Sequence, residues 1–212
     1  MNNDSEIERF TSGLLVGNRK ECLEMAESFF SKSGSIIDLY EQLIKPSLYK
    51  VGELWEYNQI TVADEHLATA ISESILNQFV EQIISSTRSS KSVLVCGIEG
   101  EHHQVGAKMV ADVFEMAGWN ATFLGVDLPL NELIKYAQKH QPNLIALSVS
   151  VYMNMSSLLK TIQRFSFEFP DLLIVVGGQA FLHGGTNLFE NNKNVLVMSD
   201  LYELNEFIIQ EL

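Results

Sequence analysis

Apolar residues in the first part of the chain recur at intervals of three and four, the spacing that one face of a helix requires. Asn18 and Thr61 each stand three residues ahead of an acidic residue, which predicts a capped helix start at both positions. A helix that ends near Trp55 contains Pro46, and we expect the proline to kink it. The pattern predicts an N-terminal cap, a four-helix bundle over residues 1–86.

The pattern changes after a polar, serine-rich linker at residues 87–92. Over residues 93–212, short continuous apolar runs alternate with helical stretches, which predicts a five-stranded parallel sheet covered on both faces. The predicted fold class is α + α/β, with a flavodoxin-like (Rossmann-type), doubly wound second domain. The predicted strands are Val93–Cys96, Ala121–Leu124, Leu144–Ser148, Leu172–Val176 and Val195–Met198. The helices are expected to begin near His103, Leu130, Asn154 and Ala180, with a last one over about 201–211.

Composition and charge narrow the classes of function. Hydrophobic residues make up 46% of the chain and charged residues 19%, which is a globular balance. The net charge of −13 argues against direct binding of nucleic acid, since that requires a surface rich in Lys and Arg. No apolar run approaches the ~20 residues that span a bilayer, and the N-terminus is acidic and polar. We therefore expect a cytoplasmic chain without membrane contact.

Candidate chemistry lies in the loops that follow the strands, because doubly wound sheets bind ligands beyond the carboxyl ends of their strands. The loop after the first predicted strand reads Glu101-His102-His103-Gln104-Val105-Gly106 and contains no dinucleotide or phosphate-loop motif. His103 can bind a transition metal through one ring nitrogen, and Glu101 can accept a hydrogen bond from the other. From these residues alone, a pair of solvent-exposed histidines remains the alternative.

Three motifs together resemble the cobalamin-binding domain family: Glu-x-His-x-x-Gly at 101–106, Ser148-Val149-Ser150 after the third strand and Gly177-Gly178 after the fourth. The resemblance implies that the cofactor's nucleotide tail leaves cobalt and enters the α/β domain, while His103 becomes the lower axial ligand and Glu101 orients it. Two departures are Glu101, where the family more often has Asp, and Ser150, where it more often has Leu. The resemblance also implies that Gly106 lets the nucleotide tail approach the backbone and that Ser148 and Ser150 form hydrogen bonds near the benzimidazole. Gly177 and Gly178 would line the pocket of the tail. Further contacts with the cofactor are expected from His102, Gln104, Val105, Val149 and Met155.

A second constellation lies in the helical half. Val62, Glu65 and His66 share one helix face, and Trp55 ends the preceding helix. The pattern Trp-x9-Glu-His resembles the cap of adenosylcobalamin-dependent photoreceptors that regulate carotenoid genes. That resemblance implies that Trp55, Val62 and Glu65 contact the adenosyl group, and that His66 becomes the upper axial ligand of cobalt after light. The alternative is a core-filling Trp55 and a solvated His66.

The function implied by both resemblances is a cobalamin-binding sensory or regulatory protein. It would be a light sensor that holds adenosylcobalamin base-off/His-on, with methylcobalamin and hydroxocobalamin as alternative forms. It would signal through a protein partner, such as a transcription regulator, or through self-association. One alternative is the corrinoid carrier of a methyltransferase system, and another is an anti-repressor that binds haem or no cofactor. No catalytic residues independent of a cofactor are visible, so we predict no autonomous enzyme.

Overall fold

The computed structural model describes residues 3–189 and 192–211. The chain divides after Ile83 into two compact units, of which the first is helical and the second contains the sheet. Within the described residues, no helix is long and apolar enough to cross a membrane.

Four helical segments make up the described part of the first unit, which confirms the predicted bundle. Their inward faces form an apolar core that includes Phe10, Leu43 and Ile71. Both predicted caps are present, since Asn18 accepts from the Glu21 N–H and Thr61 forms a reciprocal capping box with Asp64. The segments are α1 (Asn3–Leu15), α2 (Arg19–Ser33), α3 and α4 (Ile36–Leu39 and Lys45–Glu56) joined by a π-helical stretch (Tyr40–Ile44), and α5 and α6 (Val62–Leu76 and Val80–Ile83) joined by a 3-10 turn (Asn77–Phe79).

The disturbance expected at Pro46 takes the form of the π-helical stretch just before it. There the Lys45 N–H donates to the Tyr40 carbonyl, five residues back. Proline has no N–H, and its ring crowds the carbonyl four residues earlier in a regular α-helix. A wider turn relieves this crowding, so the helix passes the proline and runs on to Glu56.

The second unit is a five-stranded parallel sheet in the order β2-β1-β3-β4-β5, the flavodoxin-like order that the sequence predicts. Apolar side chains of its helices pack against the sheet. The strands are β1 (Ser92–Gly97), β2 (Asn120–Phe123), β3 (Leu144–Ser148), β4 (Leu173–Gly177) and β5 (Val195–Val197). The helices are α7 (Val105–Met116), α8 (Leu130–His140), α9 (Met155–Glu168) and α10 (Leu201–Gln210).

The helix expected from Ala180 is wrong. Two 3-10 turns stand in its place, Gln179–His183 and Thr186–Phe189. Gly184 and Gly185 separate the turns with φ angles of 106° and 99°, which no right-handed helix contains. The chain therefore passes from β4 to β5 through a folded loop.

Candidate functional site

Three loops meet at one edge of the sheet because the ends of their strands are in register. Gly97 at the end of β1 pairs with Ser148 at the end of β3, and Ser148 pairs with Gly177 at the end of β4. The strand order reverses between β1 and β3, which is the position where doubly wound sheets bind their ligands. The three motifs singled out in the sequence are thus brought to the same edge.

The buried side chain of Glu101 contacts the partly exposed ring of His103. The Glu101 side chain is fully buried, whereas 48% of the His103 side chain is exposed. The Glu101 Oε1 atom lies 2.5 Å from His103 Nδ1 and accepts from the backbone N–H groups of His102 and His103 at 3.0 Å each. Because Nδ1 is engaged, a metal would bind His103 through Nε2.

The second oxygen of Glu101 reaches a different loop. Oε2 accepts from the N–H of Ser150 at 2.7 Å and from that of Val151 at 3.2 Å, and the Asn154 amide nitrogen lies 3.4 Å away. One carboxylate therefore ties the loop after β1 to the loop after β3.

The charge on Glu101 follows from these contacts. Burial alone would raise the pKa of this carboxyl, but hydrogen bonds from the His103 ring and from the N–H groups of Ser150, His103 and Val151 outweigh burial and lower the pKa to about 2. The group is therefore a carboxylate at neutral pH, which raises the basicity of the imidazole that it contacts.

The glycines of the site serve two different needs. At Gly178, with φ at 119°, an added Cβ would lie 2.1 Å from the Val149 carbonyl oxygen, so glycine alone allows the loop after β4 to approach β3. At Gly106, the nearest atom to an added Cβ is the Ser148 Oγ at 3.9 Å. A side chain at Gly106 would therefore contact the buried Ser148 at the start of α7.

The other predicted contact residues fall into two groups. Val105, Val149 and Met155 are buried and pack inside the second unit, so their side chains shape the loops from within. His102 is exposed, and Gln104 is half-buried at the start of α7. These positions are compatible with a ligand that lies over the loops after β1 and β3.

The helical unit presents its predicted residues on its surface. Trp55 is 47% exposed, so the alternative in which it fills the core is wrong. The Glu65 carboxylate accepts from the Thr69 hydroxyl at 2.8 Å and lies 3.6 Å from His66 Nε2. The His66 side chain is 76% exposed. A fixed carboxylate and an accessible imidazole therefore lie side by side on this unit, and Trp55 is exposed on its surface as well.

Two residues outside the three motifs, Asp127 and Asn154, make contacts with Gly100 that the sequence did not predict. The Asp127 carboxylate accepts from the Gly100 N–H at 2.9 Å, and the Asn154 amide donates to the Gly100 carbonyl at 3.1 Å. The sequence offers no signal for either contact, because both partners lie more than 20 residues away along the chain. In the sequence, both look like ordinary turn residues, because Asp and Asn are common in turns.

The donor set indicates which kind of metal the site fits. Within the described ranges, no three His, Cys, Asp or Glu side chains gather as a metal site. One accessible imidazole with an orienting carboxylate cannot retain a bare ion, since protein metal sites generally need three or four ligands. It suits a metal whose other positions are filled by a macrocycle.

Comparisons with known proteins agree with this chemistry. Two family models, each described as a B12 binding domain, match residues 6–87 and residues 91–194. The trimethylamine corrinoid protein 1 of Methanosarcina acetivorans is 26% identical over 137 residues, which are 62% of each chain. The HTH-type transcriptional repressor CarA of Myxococcus xanthus is 29% identical over 123 residues, 57% of this chain and 41% of that one. The chain thus spans less than two thirds of the length of these relatives.

Solved structures show the same fold over the whole chain. The monomethylamine corrinoid protein of Methanosarcina barkeri matches with a TM-score of 0.82 at 14% identity and covers 100% of both chains. A cobalamin-binding protein of Desulfitobacterium hafniense matches with a TM-score of 0.51 at 16% identity, covering 97% of this chain and 98% of that one. With both halves matched by family models of the same description, this chain belongs to the B12-binding domain family, and cobalamin is its ligand.

Proposed function

We propose that this chain is a cobalamin-dependent light sensor that reports through a protein partner, such as a transcription regulator, or through self-association. The observation that carries the proposal is the surface of the helical unit, where the exposed imidazole of His66 lies beside the Glu65 carboxylate and where Trp55 is exposed as well. A carrier that only presents cobalt to other enzymes has no use for a second imidazole beside a fixed carboxylate. A sensor needs such a group, because its two states must differ in contacts.

The second unit would hold the cofactor base-off/His-on. His103 would bind cobalt from below through Nε2, with its tautomer fixed by Glu101. The nucleotide tail would enter beside Gly106 and Ser148, where glycine omits the side chain that would otherwise lie next to the Ser148 hydroxyl. Gly177 and Gly178 would line the tail's pocket. The buried carboxylate would offset part of the cobalt's positive charge.

The helical unit would respond to the upper ligand. Adenosylcobalamin supplies a cobalt–carbon bond that visible light cleaves. Trp55 and Val62 would cover an adenosyl group, and Glu65, held by Thr69, would accept from its hydroxyl groups. His66 would bind cobalt once the adenosyl group has gone. The contacts with the adenosyl group and the bond from His66 to cobalt would exclude each other. The helical unit would therefore have two alternative packing states and could act as a switch.

Relatives and charge agree with a regulatory role. CarA and CarH of Myxococcus xanthus, which match at 29% and 28% identity, are both named as transcriptional repressors. The net charge of −13 disfavours contact with DNA by this chain itself. We therefore place the output in a protein contact.

A second candidate is the corrinoid carrier of a methyltransferase system. The observation that favours it is the match over the whole chain to the monomethylamine corrinoid protein, together with sequence matches to trimethylamine corrinoid proteins. In that role the chain would exchange a methyl group on cobalt between two partner enzymes. His103 and Glu101 would serve both functions equally, whereas His66 would serve only the first.

Reconstitution in darkness separates the two candidates. The chain is loaded with adenosylcobalamin or methylcobalamin, and its absorption spectrum and size-exclusion elution are recorded before and after green light, with free cofactor as the reference. For a sensor, light changes the elution volume of the adenosylcobalamin form, and His66→Ala changes the illuminated spectrum. His140→Ala is the matched control, because His140 stacks on Tyr136 at the end of α8, far along the chain from both motifs.

Two results would count against the sensor. One is an elution volume of the adenosylcobalamin form that light leaves unchanged. The other is an illuminated spectrum that His66→Ala and His140→Ala leave equally untouched. Methyl transfer from methylcobalamin to an added methyltransferase partner, with no response to light, would establish the carrier instead.

A further inference from the structure

Two serine hydroxyls at the carboxyl end of β3 have no hydrogen-bond partner among the residues that the structure describes. One belongs to Ser148, of which 7% is exposed, and the other to Ser150, which is half-buried. A hydroxyl that is withdrawn from water without a hydrogen bond destabilises the fold. Both hydroxyls are therefore suited to accept or donate a hydrogen bond to a bound ligand.

The two serines lie on the side of the sheet that carries α7. Side chains alternate along a strand, and Leu147 and Val149 belong to the apolar core on the side of α8 and α9. The strand pattern continues past Ser148, because the N–H and the carbonyl of Val149 both bond to the chain at and just after the end of β4. Ser148 and Ser150 therefore face the other side. There the Ser148 Oγ lies 3.9 Å from the place that a Cβ at Gly106 would take.

The residues beside the Ser148 hydroxyl are glycines. Gly97 on β1 and Gly177 on β4 are the register partners of Ser148, so neither neighbouring strand adds a side chain at this level. Gly106 adds none from α7. A flat group with a polar edge can therefore approach both hydroxyls, as the base of the nucleotide tail would in the function proposed above.

The two hydroxyls offer more hydrogen bonds than the base of cobalamin can use. Dimethylbenzimidazole that has left cobalt has one free ring nitrogen, and its far edge carries two methyl groups. Adenine in the same place has further ring nitrogens and an amino group. A leucine, which the resembled family more often has at position 150, suits an edge of methyl groups, whereas the hydroxyl of Ser150 suits a polar edge.

We propose that Ser150 determines which lower base the second unit favours, and that the chain binds cobamides with a purine base, such as adenine, in addition to cobalamin. Ser148 would bond to the ring nitrogen that both kinds of base release from cobalt. Ser150 would bond to the polar edge that a purine has and dimethylbenzimidazole lacks. The inference rests on the proposed entry of the tail beside Gly106 and Ser148, and it is independent of the response to light.

Ser150→Leu tests the inference. Dissociation constants are measured in the dark by absorption titration, for hydroxocobalamin and for the hydroxo form of the cobamide that has adenine as its lower base. The ratio of the two constants is compared between the chains, because the ease with which each base leaves cobalt affects both chains equally. We expect Ser150→Leu to shift this ratio about 10-fold in favour of hydroxocobalamin, since one hydrogen bond to adenine is lost and apolar contact with the methyl groups is gained.

Two further variants accompany it. Ser150→Ala removes the hydroxyl without adding bulk, so it should shift the ratio in the same direction by a smaller factor. Ser166→Leu is the matched control, because it makes the same replacement at an exposed position near the other end of α9. It should leave the ratio unchanged.

Cobinamide, which has no nucleotide tail, separates the two possible failures. If the wild-type chain binds cobinamide as tightly as both complete cobamides, the proposed tail site beside Ser148 fails, and this inference fails with it. If the complete cobamides bind more tightly than cobinamide, but both variants at Ser150 keep the wild-type ratio, only the role of Ser150 is refuted. Ser150→Ala alone decides the question if circular dichroism shows that Ser150→Leu is unfolded.

Discussion

Glu101→Gln isolates the contribution of the buried carboxylate to the stability of the second unit. In the wild-type chain, N–H groups of His102 and His103 and the His103 ring point at Oε1, while those of Ser150, Val151 and Asn154 point at Oε2. Glutamine offers an acceptor on one side only and turns its own N–H groups toward the donors on the other. Two or three contacts are lost, depending on which way it lies, because a neutral His103 ring nitrogen can accept from the new amide; each lost contact costs about 1 kcal/mol.

The pKa of Glu101 gives a second measure of the same quantity. Hydrogen bonds outweigh burial and lower this pKa from 4.5 to about 2. Since each tenfold change in proton affinity corresponds to about 1.4 kcal/mol, the folded state favours the carboxylate by roughly 3 kcal/mol. A lowered pKa stabilises the fold above the unfolded value, and this stabilisation is lost as the pH falls from about 4.5 toward about 2.

The assay is urea and thermal unfolding of the cofactor-free chain at several pH values. We expect Glu101→Gln to lose about 3 kcal/mol at neutral pH, a fall in Tm of roughly 6–12 °C, and the gap to the wild-type chain to close in acid. Glu99→Gln is the control, because Glu99 is exposed and its contact with the Leu130 N–H is long, at 3.5 Å. A variant as stable as the wild-type chain at neutral pH, or a gap that persists at low pH, would refute the reasoning.

Two further predictions concern stability. Gly178→Ala should lower the free energy of unfolding in urea by on the order of 3 kcal/mol or more, because its Cβ would meet the Val149 carbonyl oxygen. Gly184→Ala is the control, with a similar φ of 106° but no atom within 4 Å of the added Cβ, and should lower it by about 1–2 kcal/mol. Equal losses in the two variants would contradict the clash. Thr61→Ala should lower the free energy of unfolding of the helical unit by about 1 kcal/mol, because it removes half of the capping box. Thr61→Ser keeps the hydroxyl and should therefore keep the stability of the wild-type chain. An unaffected Tm for Thr61→Ala would contradict the role of the box.

The elements that the sequence predicted well are those fixed by local patterns. Continuous apolar runs identified all five strands to within a few residues, and the capping signals at Asn18 and Thr61 both appear as side-chain hydrogen bonds. The order of the strands followed because alternating strands and helices leave few right-handed ways to wind a parallel sheet. The three motifs met at one edge for the same reason.

The features that the sequence did not predict depend on contacts between distant residues. Asn154 reads as an ordinary helix start, and only the register of β1 with β3 brings it to Gly100. Likewise, Asp127 reads as a turn residue, yet its carboxylate holds the same glycine. The expected helix after β4 failed because the pair Gly184 and Gly185 outweighs the helical pattern around it.

The central claim is that the imidazole of His103 binds cobalt from below. The most direct test is the paramagnetic resonance spectrum of cob(II)alamin bound to a chain grown with nitrogen-15 histidine. The account predicts that the triplet splitting seen with unlabelled protein becomes a doublet, and that His103→Ala removes the doublet. A triplet that persists after labelling would mean that the cofactor's own benzimidazole still occupies the lower position, which would contradict the account.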